Sequence, residues 1–134
     1  MLETNEEYFS LKLMCYEAEA SGYEINYFYT IDLSTGKSIK LKDLFKKDAD
    51  YKKVISDNIK NQMKEQMKSS DEKDYWLDEE FEEDNFKTIT DETSFYINKD
   101  NNIIIAFNEG EVAPMYMGAV EFVIPSDIVK DIRK

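Results

Sequence analysis

The spacing of apolar residues changes twice along this chain, and that change narrows the possible folds more than any other feature. From residue 8 to 33, large apolar side chains recur at every second position, the repeat of a β-strand. From 51 to 67 they recur every three or four positions, the repeat of one helix face. From 93 to 125 the period returns to two. Strands on both sides of a helix predict an α+β fold, with an antiparallel sheet that packs one long helix and short helices on one face.

The first period-two region divides into two predicted strands. Residues 8–20, YFSLKLMCYEAEA, place Ser10 and Lys12 on one face and apolar side chains on the other: Phe9, Leu11, Leu13 and Cys15. Residues 23–33, YEINYFYTIDL, carry a matching set: Ile25, Tyr27, Tyr29 and Ile31. A turn is expected at Ser21-Gly22, and a second turn at 34–38 leads to a short strand with Ile39 and Leu41. Two successive antiparallel hairpins are therefore predicted.

The helical region, residues 48–70, begins with two candidate N-caps, Asp48 and Asp50. Its apolar stripe comprises six side chains: Tyr51, Val54, Ile55, Ile59, Met63 and Met67. Such a helix would be roughly 30 Å long, enough to lie across a small sheet. A second, short helix is predicted to hold Trp76, Leu77 and Phe81.

The last third of the chain predicts more strands. Residues 93–108 indicate a hairpin with an Asn/Asp-rich turn, and 118–125 indicate a further strand. A short terminal helix follows, with Ser126 as its candidate cap. No repeat or linker divides the chain, so residues 1–134 are expected to form one domain.

The net charge of −12 indicates the class of partner. It argues against nucleic acids and anionic membranes, which need a basic face, and favours a cationic partner. Residues 71–84 contain nine acids and one lysine. This run is either a solvated helix face or a landing surface for a basic protein. No apolar run approaches the roughly 20 residues that span a membrane, so the chain as it stands is expected to be soluble.

The residues of common catalytic systems are sparse. The chain contains no His, which removes Ser-His and Cys-His systems. Cys15 lies on the apolar side of its strand, where a buried, unreactive thiol is expected. A glycosidase-like carboxylate pair stays open because acids are abundant. The sequence therefore predicts no enzyme, no catalytic residue, no metal ligand and no cofactor.

One loop is unusually apolar. In NEGEVAPMYMGAVEFVIP, residues 108–125, the stretch from Val112 to Met117 lacks the polar residues typical of a turn. Pro114 stiffens the backbone, and Tyr116 offers a large ring with a hydrogen-bonding tip, as interface anchors do. The loop is either packed onto the end of the sheet or kept apolar for a partner.

Two segments together resemble a known family. YFYTIDLSTGKSIKLKDLF (27–45) and IAFNEGEVAPMYMGAVEFVIP (105–125) are similar to the C-terminal extracytoplasmic domain of RsiV-type anti-sigma factors. The same domain accompanies some bacterial peptidoglycan deacetylases. The resemblance follows nearly the whole chain in order.

The resemblance implies a function outside the cytoplasmic membrane, tethered through an anchor absent from this chain. In RsiV-type proteins the domain is the receptor for lysozyme, whose binding exposes the anti-sigma factor to signal peptidase. The family's contacts then imply a partner-binding set here: Glu111, Ala113, Pro114, Met115, Tyr116, Ser21 and Gly22. Many members carry a Gly-Gly-Ala-His type sequence in the first loop, where this chain has EASGYEIN. That departure leaves open a basic C-type lysozyme or a peptidoglycan glycan as the ligand.

Overall fold

From β2 onwards, the long helix and the strands follow one another in the order that the periodicity predicts, and an unpredicted short strand, β1, precedes them. The computed structural model describes residues 2–17, 23–70, 73, 75–77, 86–108 and 111–134. Their elements are β1 (Leu2–Thr4), β2 (Tyr8–Glu17), β3 (Tyr23–Asp32), β4 (Lys37–Ser38), α1 (Tyr51–Ser69), β5 (Ser94–Ile97), β6 (Ile103–Phe107), β7 (Val120–Ile124) and α2 (Ser126–Val129). Two 3₁₀ turns, Leu41–Leu44 and Met115–Met117, complete the set. The predicted α+β class is confirmed.

The strands form two antiparallel sheets rather than the single sheet expected. The first has the order β1-β2-β3-β4 and the second the order β5-β6-β7. The long β2–β3 hairpin runs from the pair Tyr8–Asp32 to the pair Glu17–Tyr23. It packs against β5, where the ring of Phe28 stacks on that of Tyr96 at 5.4 Å between centroids. The three predicted strand pairings, β2–β3, β3–β4 and β5–β6, are therefore present.

Helix α1 covers the second sheet as its apolar stripe predicts. Ile55, Ile59 and Met63, each four residues apart, are fully buried in the core. The other three predicted stripe residues are partly buried against the same core: Tyr51, Val54 and Met67. Asp50, rather than Asp48, is the N-cap, and its carboxylate accepts a hydrogen bond from the Lys53 N–H at 3.4 Å.

In the β2–β3 hairpin, the face rich in apolar residues was expected to be buried, but the opposite face is the buried one. The side chains that are almost fully buried are polar, namely Ser10, Asn26 and Thr30. On the apolar face, Leu13 is 46% exposed and Tyr27 and Tyr29 are each 47% exposed. The Ser10 and Thr30 side chains are tolerated on the inner face because they are hydrogen-bonded: their hydroxyls lie 2.9 Å apart, and Ser10 Oγ accepts from the Ile97 N–H at 3.1 Å. The side chain of Cys15 lies outside the described residues.

The Ser10 hydroxyl gives a direct test of this packing. Ser10→Ala is expected to lower the free energy of unfolding by about 1–3 kcal/mol, because it leaves the buried N–H of Ile97 without its acceptor. Urea unfolding would measure the loss, with Ser38→Ala as the control since Ser38 is exposed. Equal stability of the two variants would contradict the bond's role.

Strand β4, predicted to include Ile39 and Leu41, is shorter than expected. It contains only Lys37–Ser38, and Ile39 adds one bond to the Thr30 carbonyl at 2.9 Å. The Lys40 N–H then donates to Asp43 Oδ2 at 2.8 Å, which starts a 3₁₀ turn. That turn carries Leu41 into the core as a helical residue instead of a strand residue.

Of the two predicted short helices, the C-terminal one is present as α2, whereas Trp76 and Leu77 are not helical. Trp76 and Leu77 form a bend, and the Trp76 N–H donates to the Val112 carbonyl at 2.8 Å. Phe81 and most of the acidic run lie outside the described residues. At the C-terminal end, Pro125 occupies the cap position, so Ser126 is the first residue of α2 and makes no capping bond.

Candidate protein-binding site

The base of the 111–119 loop belongs to the hydrophobic core. Val112 is 5% exposed and Ala113 is 2% exposed, and both pack in the main cluster. The Val112 carbonyl also accepts the Trp76 N–H, which ties the loop to the segment after α1. Val112 and Ala113 therefore serve the fold. Ala113, predicted as a partner contact, packs in the core and fixes the base of the loop.

The tip of the same loop projects outward. The Met117 N–H donates to the Pro114 carbonyl at 3.0 Å and closes a 3₁₀ turn over Met115–Met117. Tyr116 stands on that turn with its side chain 69% exposed, the largest exposed fraction among the large hydrophobic residues in the described part of the chain. Gly118 leaves the turn with φ of +69°, which a residue without Cβ adopts readily. The side chain of Met115 lies outside the described residues.

Glu111 holds the beginning of the loop. Its Oε1 accepts the Asn108 N–H at 2.8 Å, while the Glu111 N–H donates to the Asn108 carbonyl at 3.1 Å. This reciprocal pair links the residue after β6 to the start of the loop. The predicted contact residue Glu111 therefore acts on the shape of the loop, although its side chain is exposed.

One hydrogen bond joins strand β3 to the base of the loop that carries Tyr116. Ser21 and Gly22 lie outside the described residues, but strands β2 and β3 lead to them. On β3, the Asn26 N–H donates to Asn108 Oδ1 at 2.8 Å, so the hairpin meets the base of the loop. Sequence reasoning missed both asparagines, because no local pattern links residues 82 positions apart.

The two tyrosines whose pKa values are raised most, Tyr51 and Tyr96, lie outside the loop and make structural contacts. Burial, followed by the hydrogen bond to Asp91, raises the pKa of Tyr51 to about 12. Burial and the bond from its hydroxyl to Glu121 Oε1 (2.7 Å) raise the pKa of Tyr96. These tyrosines tie a helix and a strand to neighbouring segments. Within the described residues, no group of three His, Cys, Asp or Glu side chains is placed to hold a metal ion.

Comparison with known proteins identifies the family. The family model described as "Protein of unknown function (DUF3298)" matches residues 42–127, well over half of the chain. The chain belongs to the DUF3298 family. It is also 47% identical over 114 residues to the Anti-sigma-V factor RsiV of Bacillus subtilis, a match that covers 85% of this chain and 39% of that protein. The predicted resemblance to RsiV-type domains is thus confirmed.

A solved DUF3298 structure agrees in fold. The crystal structure of a family member from Bacteroides fragilis matches with a TM-score of 0.73 at 22% sequence identity. The match covers all of this chain and 52% of the other. The DUF3298 chain therefore spans about half, or less, of the length of both relatives. None of its described helices combines the length and apolar character that crossing a membrane requires.

Proposed function

We propose that this DUF3298 domain is the lysozyme-binding receptor domain of a membrane-anchored anti-sigma factor, acting outside the cytoplasm by protein recognition without catalysis. The observation that carries the proposal is Tyr116, a 69% exposed ring on a loop whose base is fixed in the core, in a chain 47% identical to Anti-sigma-V factor RsiV. All 134 residues act as one sensor domain in this proposal, and the rest of the longer protein supplies the membrane anchor.

The loop geometry suits insertion into a cleft on the partner. Because Val112 and Ala113 are buried, the turn that carries Tyr116 is held in place before the partner arrives. Little conformational entropy is then lost on binding, and more of the contact energy remains as affinity. Tyrosine combines a large apolar ring with a hydroxyl, which matches a cleft that binds sugars through aromatic and polar groups.

Charge supports the choice of partner. C-type lysozymes are strongly basic, whereas the domain carries a net charge of −12. Opposite fields accelerate encounter, and the loop then determines which basic protein is retained. The same charge disfavours nucleic acid.

Isothermal titration with a C-type lysozyme tests the proposal. We expect binding that weakens as salt rises from low to physiological concentration, because added salt screens the opposite charges. A chitooligosaccharide that occupies the lysozyme cleft should block it. Binding that ignores the sugar would contradict insertion of the loop, and absence of binding would contradict the receptor function.

A second candidate function is favoured by the outer face of the β2–β3 hairpin. Tyr27 and Tyr29 lie side by side there, each 47% exposed, as in a platform that stacks on sugar rings. In that case the domain would bind peptidoglycan glycans beside a cell-wall enzyme such as a polysaccharide deacetylase. Retention on purified cell wall that resists salt and is lost in the double variant Tyr27→Ala/Tyr29→Ala would support it. Equal retention of that variant would refute it.

A further inference from the structure

The first sheet turns its apolar face to solvent and its polar face to the rest of the domain. On the outer face of the β2–β3 hairpin, apolar side chains lie opposite one another in three pairs: Phe9 and Ile31, Leu11 and Tyr29, and Leu13 and Tyr27. None of the six is buried, and Leu13, Tyr27 and Tyr29 are each almost half exposed. An antiparallel sheet that is covered on one side normally shows its polar side chains to water. The reversed pattern indicates that the outer face, defined by these six side chains, is also suited to burial.

The edge of the first sheet beside β2 is only partly occupied. Strand β1 pairs with residues 9–11, whereas β2 continues to Glu17. Met14 pairs with Asn26, whose N–H points away from β2 to Asn108 Oδ1. In an antiparallel ladder, facing residues point their N–H and C=O groups either towards each other or both away, so those of Met14 point away from β3. They face a side of β2 on which the described part of the chain places no strand beyond β1, and such an edge is a template for a further strand.

Strand β1 is aligned with that open edge. It runs antiparallel to β2 and places Leu2 opposite Leu11. Polypeptide that continued β1 backwards would therefore lie opposite Leu13 and then Met14. The residue opposite Leu13 would share the outer face with it, so an apolar side chain there would cover part of that face.

The relatives of this domain are longer than the domain itself. The matches cover 39% of Anti-sigma-V factor RsiV and 52% of the family member from Bacteroides fragilis, so about half or more of each relative lies outside the matched region. Polypeptide of that length is sufficient to add a strand and to cover one face of a small sheet.

We infer that in the longer protein the polypeptide preceding β1 extends this strand along β2, opposite Leu13 and Met14, and that its apolar side chains cover the outer face. The added strand supplies main-chain hydrogen bonds at Met14, and the cover removes apolar surface from water. The inference rests on the longer, anchored protein of the proposed function and not on the binding of lysozyme.

Other occupants fit the outer face less well. Its six side chains carry no charge, so a basic partner gains nothing there from opposite charge. Two copies of the domain, each with a net charge of −12, repel each other as they approach. The glycan platform of the second candidate function uses Tyr27 and Tyr29 of this same face, so a cover from the longer protein excludes it.

Amide hydrogen exchange tests the added strand at single residues. In the 134-residue chain the Met14 N–H points to the open edge and should exchange quickly, whereas the Leu13 N–H points to β3 and should exchange slowly. In the whole extracytoplasmic part of the longer protein, the Met14 N–H should exchange about a hundredfold more slowly. Leu13 is the internal control because its N–H is protected in both proteins. Equal exchange of Met14 in the two proteins would overturn the inference.

Two half-exposed side chains test the covered face. Leu13 and Val123 are 46% and 49% exposed, and they lie in different sheets. Leu13→Ser is expected to lower the thermal unfolding midpoint by about 3 °C more in the longer protein than in the 134-residue chain, because its side chain is buried only there. Val123→Ser should shift the midpoint equally in both proteins. An equal shift for Leu13→Ser in both proteins would contradict the cover.

Two further results would assign the first sheet to another occupant and overturn the inference. Protection of Met14 that rises with the concentration of the 134-residue chain would mean that a second copy occupies the edge. Protection by a chitooligosaccharide, equal in both proteins, would mean that a glycan occupies the face.

The titration with lysozyme gives an independent result. If Met14 is protected in the longer protein but lysozyme does not bind, the proposed function fails and the added strand stands. If lysozyme binds but Met14 exchanges equally in both proteins, only the added strand is wrong.

Discussion

Tyr116→Ala is expected to weaken binding of a C-type lysozyme by about a hundredfold, the size of effect typical of a central tyrosine in an interface. The side chain is 69% exposed in the free domain, so its ring contributes little to the fold but can bury a large area against a partner. The thermal unfolding midpoint should therefore stay close to that of the wild type. Titration calorimetry together with thermal unfolding would separate the two effects.

Tyr29→Ala is the matched control for that experiment. Tyr29 is also a half-exposed tyrosine, 47%, but it lies on the outer face of the hairpin. Its removal should leave lysozyme affinity within about twofold of wild type. If Tyr29→Ala and Tyr116→Ala lose affinity equally, the loop is not the specific anchor.

Phe122→Ala is expected to produce the largest loss of stability, about 3–5 kcal/mol. Phe122 is 1% exposed, and its ring lies 5.7 Å from that of Tyr75 and 6.0 Å from that of Phe107. Truncation would leave a cavity between the second sheet and the segment after α1. Because small domains are stable by only about 5–15 kcal/mol, a substantial part of the stability would be lost.

Urea unfolding of Phe122→Ala beside Val123→Ala would test this expectation. Val123 is the next residue of β7, and its side chain is 49% exposed on the other face. Its truncation should cost less than about 1 kcal/mol, mostly through lower strand propensity. Losses of similar size in both variants would mean that the ring cluster contributes less than its burial indicates.

The local elements of this domain follow from its sequence because their causes are local. The stripe on α1 needs only a repeat of three to four residues, and the turn between β5 and β6 needs only its Asn and Asp residues. The two RsiV-type motifs could also be recognised in the sequence alone, and they indicate the same family as the comparisons. The predicted Pro-Tyr loop exists as an exposed turn, and its contact with a partner stays a prediction.

The candidate site was only partly predictable. The alternation of apolar and polar residues along β2 and β3 identifies the two faces of the hairpin, but it does not determine which face packs against the rest of the domain. Ala113 and Glu111 looked like surface contacts, yet one is buried and the other closes the loop. Asn108, whose side chain joins the loop to β3, belongs to no motif, so the sequence did not indicate its role.

By itself, the sequence determined the α+β class, the long helix, the two main hairpins and the family. Only the tertiary structure decided that the strands split into two sheets and that the hairpin turns its polar face inward. The physical reason is that a buried polar group is tolerated only when it is hydrogen-bonded. The Ser10 hydroxyl is bonded to the Ile97 N–H, 87 residues away along the chain, and the backbone N–H of Asn26 is bonded to Asn108 Oδ1, 82 residues away. Contacts at that separation exist only after the chain has folded, and the opposite face, with Tyr27 and Tyr29, stays at the surface.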